Sequence, residues 1–374
     1  MSLNEEKGNI LRLLFVSSDR KLLSAAVGLF LIGLLSIFGA SLGMEKNAGA
    51  FVVRQAVWGL VSFAAYATVL RIGYLRLLSL AYRVYGAAIL LLLAVLVLGH
   101  VARGSQSWIG FAGFRLQPSE LAKVALALFL AKHLCRHPVE DAKSLAWLLA
   151  LSGLCVVLVL AQPDLGSAIV LSVMIFTALY AAGTPVRYLA GLSAAAVLLM
   201  PVGWHFLKAY QRLRLLVFLN PYSDPLGAGY NVIQSRIAVG SGRILGKGFM
   251  MGTQSKLGFL PEPHTDFIFS VFAEEFGFLG GVFLLVLFSL LLWRIVAAGI
   301  KSRDLRGKVL VASIAGWIWF QLVEGMAMSM GLAPVTGLPL PFLSYGGSSL
   351  LALGIALGLV QSVVVENPRP DADS

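Results

Sequence analysis

Residues 266–293 read DFIFSVFAEEFGFLGGVFLLVLFSLLLW. Past the aspartate at its start, the run is apolar for longer than the roughly 20 residues a helix needs to cross a bilayer. Two carboxylates, Glu274 and Glu275, interrupt it. Charge in hydrocarbon is expensive, and a chain that keeps it there has a use for it. Outward from this stretch the composition stays the same. Of 374 residues, 58% are hydrophobic and 13% charged, and the mean hydropathy is +0.85. Soluble domains are nearer half apolar and a quarter charged. The chain therefore reads as a polytopic, all-α membrane protein in contact with membrane lipids, with no pattern that suggests nucleic acid.

Uncharged or nearly uncharged runs mark ten spans, at about 22–44, 51–70, 80–99, 117–132, 144–163, 165–182, 188–207, 266–293, 309–332 and 344–365. Short turns join most of them, so residues 1–374 form one bundle rather than linked domains. The first run is too long for the core of a signal peptide. The short segments on the N-terminal side of the bundle hold seventeen lysines and arginines, against four on the other side. By the positive-inside rule both termini are cytoplasmic and the long loop 208–265 faces outward. That loop and its exit carry seven basic residues, Arg212, Arg243 and Lys247 among them, against Asp224, Glu262 and Asp266. Long loops can escape the charge rule. An excess of cations at an outer surface also suits an anionic ligand, since Lys and Arg are the natural partners of phosphate. Apolar stretches within the loop predict short helices lying against the membrane.

Alternating span direction gives each polar group a depth. Pro118 suits a first helical turn, and Glu120 and Lys123 follow at i and i+3 on one face. Asp164 lies in the turn QPDLG, Glu324 in the outer half of span nine, and Ser344 in PLPFLSYGG at the head of span ten. Asp266 opens span eight, with Glu274 and Glu275 about 12–14 Å deeper at 1.5 Å per residue. Singly, each has a bland reading as an ion pair, a helix cap or a satisfied acid. Together they predict a polar cavity opening outward. Cys135 and Cys155 read as small buried hydrophobes. His133 and His137 read as a solvated helix end. No residue pattern demands a metal, although a divalent cation such as Mg or Mn is compatible with a carboxylate that faces a diphosphate.

The segments RGSQSWI, LQPSELAKVALALFLA, QPDLGSAIV, NPYSDPLGAGYNVIQSRIAVGSGRILGKG, GTQSKLGFLPEPHTDFIFSVFAEEFG and LPLPFLSYGGSSLL resemble the SEDS family of shape, elongation, division and sporulation proteins. The resemblance runs from about Asp19 to Glu366 and leans toward the elongation members. It implies a glycosyltransferase of the plasma (inner) membrane that polymerises lipid II into glycan strands. Its implied partners are a class B penicillin-binding protein, which crosslinks the strands, and other elongation-complex proteins. The family's essential aspartate falls on Asp266, and its polar cavity motifs fall on Arg103, Gln117, Glu120, Lys123 and Asp164.

The residue types suit that chemistry. The acceptor hydroxyl must lose a proton, and a positioned carboxylate can take it. The diphosphate leaving group needs cations already in place. Two other classes stay open: a lipid II transporter, which needs a cavity reachable from both faces, and a scaffold that only positions the crosslinking enzyme.

Overall fold

The structure, a computed structural model, describes residues 18–41, 48–98, 100–102, 105–111 and 114–366. Its long helices fall on the expected spans: α1 (Arg20–Ser41), α2 (Ala48–Ile72), α4 (Ala81–Leu98), α5 (Pro118–Arg136), α6 (Ala142–Ala161), α7 (Leu165–Ala181), α8 (Val186–Phe206), α12 (Ile268–Lys301), α13 (Leu305–Met330) and α14 (Gly347–Glu366). A short α3 (Tyr74–Ser79) links α2 to α4. The long loop contains α9 (Ala209–Leu219), α10 (Tyr230–Ser241) and α11 (Thr253–Lys256). Among the described residues, seven helices are long and apolar enough to cross a membrane: α1, α2, α6, α8, α12, α13 and α14. Two more, α4 and α7, are shorter apolar helices. One feature was not anticipated from the hydropathy pattern. Between α4 and α5, β1 (His100–Ala102), β2 (Ser105–Phe111) and β3 (Phe114–Leu116) form a small antiparallel sheet in the order β1-β2-β3.

The most charged of the long helices is enclosed. From Pro118 to Ala131 every residue of α5 except Leu121 is buried, packed by α4, α7, α13 and α14. Glu120 and Lys123 within that stretch face protein rather than lipid, where polar groups in a membrane belong. α14 lies along α2 and comes close because its contact face is small. A Cβ on Gly354 would lie 2.5 Å from the Ser62 carbonyl oxygen, and the Ser62 hydroxyl donates to Leu350 O at 2.7 Å. Small residues and cross-helix hydrogen bonds replace the hydrophobic driving force that is absent between helices in lipid. At the end opposite the long loop, His133 is buried rather than solvated, stacked between Phe129 and His137.

The reading of residues 266–293 as one continuous span needs correction. Inside α12, Gly277 adopts φ 65° and ψ −161° and breaks the helix. A helix break strands backbone groups that lipid cannot satisfy, and here the loop after α10 supplies the partners. Lys247 N donates to Glu274 O (2.9 Å) and Gly248 N to Glu275 O (3.0 Å). In return, Phe278 N donates to Arg243 O (2.8 Å) and Leu279 N to Ile244 O (3.1 Å). The segment from Phe278 to Lys301, about 36 Å at 1.5 Å per residue, spans hydrocarbon by itself. Glu274 and Glu275 therefore sit at the loop-side end of the span, not a third of the way into it. Glu275 lies against Gly39, near the loop-side end of α1.

Gly277→Ala tests this break. A Cβ there would meet Gly246 N at 2.3 Å and Ile244 O at 2.7 Å, in a backbone conformation that side chains resist. The expected loss is about 2 kcal/mol or more, read as a lower thermal midpoint of the purified protein in detergent. An unchanged midpoint would show that the break relaxes without cost.

Candidate active site

A cavity of about 150 Å³ opens at the loop side of the bundle. Five segments far apart in sequence wall it: the start of α5 with Gln117 and Glu120, the α6–α7 turn from Pro163 to Ser167, the inner face of α9, Asp266, and the α13–α14 connection from Pro334 to Pro339. Four of the expected site residues, Gln117, Glu120, Asp164 and Asp266, thus line one pocket.

Each is placed by local chemistry. Pro118 starts α5, with Gln117 at the cap and Glu120 in the first turn. Glu120 and Lys123 form a 2.7 Å ion pair with both side chains buried. Lys123 Nζ also stands 5.1 Å from the Trp317 ring centroid, so its charge is held by a carboxylate and an aromatic face. The second Glu120 oxygen is buried and makes no hydrogen bond among the described residues. Asp164 caps α7 by accepting from Ser167 N at 3.0 Å, as Asp does at helix starts. Its other oxygen accepts from Gln117 Nε2 at 3.3 Å. The bland reading of QPDLG as a cap is therefore correct, and it does not compete with a place in the pocket.

Asp266 sits one position before the cap of α12, which is Phe267, and no acid lies in the first helical turn. Asp266 therefore precedes the helix rather than opening it. What holds Asp266 is the connection before α14. The Ser344 hydroxyl donates to Thr265 O at 2.7 Å, and Tyr345 N donates to His264 O at 2.9 Å. Leu340 N donates to Ser344 Oγ at 2.9 Å, and Gln55 of α2 donates through Nε2 to Ser344 O at 3.2 Å. Ser344 is thus a fastener behind Asp266, outside the pocket lining. Across the pocket, Asp266 Oδ2 faces Gly337, where a Cβ would come within 3.7 Å. The next residue, Thr336, lines the pocket and donates its hydroxyl to the buried carboxyl of Glu324 on α13.

The three basic loop residues singled out in the sequence lie outside the pocket lining. Lys247 pairs with Glu274 at 2.7 Å. Arg212 donates to His205 O at 2.7 Å, which pins α9 to the end of α8. Arg243 occupies the helix-break turn at φ 49°, with its carbonyl committed to Phe278. Arg103 falls outside the described residues. The fate of Glu274 is also clear: it is fully buried and accepts from Lys247 Nζ, Thr253 N (2.9 Å) and Gln254 N (3.1 Å). Glu275 accepts from Met250 N at 3.2 Å. Both acids hold the loop rather than the pocket.

The sequence singles out only Arg212 on α9, yet it is the other face of this helix that meets the pocket. Tyr210, Gln211, Arg214 and Leu215 line the pocket. The Tyr210 hydroxyl donates to Pro163 O at 3.1 Å, and Arg214 Nη1 donates to Val335 O at 3.2 Å. The helix therefore straps the pocket from one wall to the other. Burial pushes the Tyr210 phenol above its usual range, so it remains a hydrogen-bond donor at neutral pH. The i, i+4 spacing of Tyr210 and Arg214 within a helix whose Leu213, Leu216 and Leu219 are exposed was the available signal. Among the described residues, no group of three or more His, Cys, Asp or Glu side chains is placed to hold a metal ion.

A family model described as FtsW/RodA/SpoVE cell cycle protein matches residues 20–368. The peptidoglycan glycosyltransferase MrdB of Escherichia coli K12 is 40% identical over 281 residues, covering 75% of this chain and 76% of that protein. The rod shape determining protein RodA of Thermus thermophilus superposes with a TM-score of 0.72 at 31% identity, covering 95% of this chain and 99% of that one. A solved chain from work on the coordination of polymerization and crosslinking by a peptidoglycan synthase complex superposes with a TM-score of 0.81. It is 36% identical, covering 94% of this chain and 99% of that one.

The buried pair yields a double-mutant cycle. Glu120→Gln and Lys123→Met each strand a charge in a low-dielectric site and are expected to destabilise by about 3–5 kcal/mol. The double variant should lose much less than the sum of the two, measured by thermal unfolding in detergent. Additive losses would show that the two residues do not act as a pair.

Proposed function

The chain belongs to the FtsW/RodA/SpoVE family, the SEDS family, and from that membership we propose that it polymerises lipid II into glycan strands at the outer face of the plasma membrane. It is a multi-pass membrane protein and a peptidoglycan glycosyltransferase. The observation that carries the mechanism is the pocket, which gathers Asp266, Glu120, Asp164 and Gln117. Every lining residue comes from a loop-side helix end, from the long loop, or from a connection on the same side, such as that between α13 and α14. A transporter would place its polar groups near the midplane, and a scaffold would have no use for a pocket of carboxylates.

Asp266 is the general base. Its position ahead of α12 is fixed by the hydrogen bonds that Ser344 and Tyr345 make to the backbone of Thr265 and His264, and its carboxylate lines the pocket. It takes the proton of the attacking sugar hydroxyl, a role typically worth about 10²–10⁴-fold. Glu120 and Lys123 shape the wall and supply a neutral pair, while Gln117 and Asp164 orient the sugar. The undecaprenyl diphosphate departs toward the lipid boundary. A divalent cation between carboxylate and diphosphate is compatible with this site. Both termini face the cytoplasm, as the charge bias of the short segments requires. The partner is a class B penicillin-binding protein; a structural relative comes from work on a peptidoglycan synthase complex. The role is in elongation and rod-shape maintenance, in keeping with the name of the Thermus thermophilus relative.

Asp266→Asn tests the base. Because Phe267, not Asp266, is the helix cap, the change leaves the helix start intact while removing the proton acceptor. The variant should accumulate in the membrane, melt like the parent and form essentially no polymer from lipid II. Near-normal polymerisation would refute the assignment. For orientation, a reporter active only in the periplasm, fused after Arg369, should be silent; a signal there would reverse the topology.

A further inference from the structure

The proposed reaction leaves one requirement unmet by the residues assigned so far. As the acceptor oxygen bonds to the anomeric carbon, the bond from that carbon to the diphosphate oxygen breaks. Both of its electrons leave on the diphosphate, and the hydroxyl proton passes to Asp266. The leaving group gains a full negative charge while the pocket wall already carries Glu120, Asp164 and Asp266. A cation must face the cavity to offset it. Lys123 is spoken for by Glu120 and Lys247 by Glu274.

Among the described residues that line the pocket, Arg214 is the one Lys or Arg. It is exposed at the mouth. Its guanidinium spends one N–H on Val335 O and rests 5.7 Å from the Tyr210 ring centroid. That leaves the remaining donors of a planar fork, a geometry suited to two phosphate oxygens at once. The helix that carries it has two faces. Tyr210, Gln211, Arg214 and Leu215 line the cavity, while Leu213, Leu216 and Leu219 are exposed. An amphipathic helix of this kind lies in the interface plane with its apolar face toward acyl chains. A ligand with a diphosphate at one end and a polyprenyl chain at the other matches both faces of α9.

We propose that Arg214 is the residue that receives the lipid-linked diphosphate as it leaves, with α9 seating the first part of the lipid. This inference rests on the proposed transferase reading. It replaces Arg212, Arg243 and Lys247, whose side chains lie outside the pocket, as the diphosphate contact.

The test uses the full chain in lipid nanodiscs, with lipid II as substrate and geranylgeranyl diphosphate or geranylgeraniol as competitor. The diphosphate should inhibit the parent more strongly than the alcohol. Arg214→Met should weaken inhibition by the diphosphate about tenfold or more, as expected for the loss of a charge-assisted pair, and leave inhibition by the alcohol unchanged. Its kcat should fall about 10²-fold, as for the loss of one donor to a developing anion, with a smaller change in KM. Arg214→Lys, which keeps the charge but not the fork, should retain most of the diphosphate preference, and it decides the matter if the methionine variant fails to fold. Equal inhibition by the two competitors in the parent overturns the proposal. So does an unchanged diphosphate preference in Arg214→Met, or its full loss in a folded Arg214→Lys. Polymerisation by the parent together with inactivity of Asp266→Asn keeps the transferase reading standing even then, so the two failures are told apart.

Discussion

The exchange of backbone hydrogen bonds at Gly277 is the constraint on which the loop side of the molecule depends. A helix in lipid can break only where another part of the protein takes up the freed N–H and C=O groups. Residues 243–248 do this in both directions, accepting from Phe278 and Leu279 and donating to Glu274 and Glu275. The Glu274 side chain then gathers Lys247, Thr253 and Gln254 and fixes the rest of the loop. Because the loop is anchored there, α10 can pack against both α12 and α13, where the Ser235 hydroxyl donates to Ser329 O at 2.6 Å. The chain between α8 and α12 is therefore a docked layer, and its two ends deliver α9 and Asp266 to opposite sides of one cavity.

The spans were legible because burial in lipid needs only apolar length, and length survives averaging along the sequence. Glu120, Asp164 and Asp266 were legible because polar residues at the ends of apolar runs have few other places to go, whereas Gln117 came from the family resemblance alone. The break was not. The apolar run continues through Phe278 and beyond, and the partners of the broken turn come from some thirty residues upstream, so no local window records them. The same reason explains why the loop cations were read too evenly. Charge counts give a sum of seven bases, but the pairing of Lys247 with Glu274 and the commitment of Arg212 to His205 depend on tertiary contacts. Arg214 differs from Arg212 only in which face of α9 it occupies. Ser344 reads as a cavity residue because it opens a polar motif at the head of span ten, and its hydroxyl bonds the backbone beside Asp266, behind the lining.

The pocket puts three acids and one arginine into a small volume at the edge of the hydrocarbon, a combination that favours neutralised pairs. In the lining, Glu120 is matched by Lys123 and Asp164 by Gln117 and by Ser167 N at the start of α7; behind the lining, Glu324 is matched by Thr336. Asp266 lines the same pocket, and the Ser344 hydroxyl and Tyr345 N hold the backbone of the two residues before it.

The hold on Asp266 has a consequence for how the protein is made. The groups that fix the backbone at His264 and Thr265 are Tyr345 and Ser344, steadied in turn by Gln55 of α2, and α14 follows at once and lies along α2. A nascent chain that has already inserted its first nine long helices would still hold Asp266 on a loose tether. The pocket wall around it closes when the last helix comes to rest beside one of the first. The proposed proton acceptor is thus fixed only once synthesis is nearly complete.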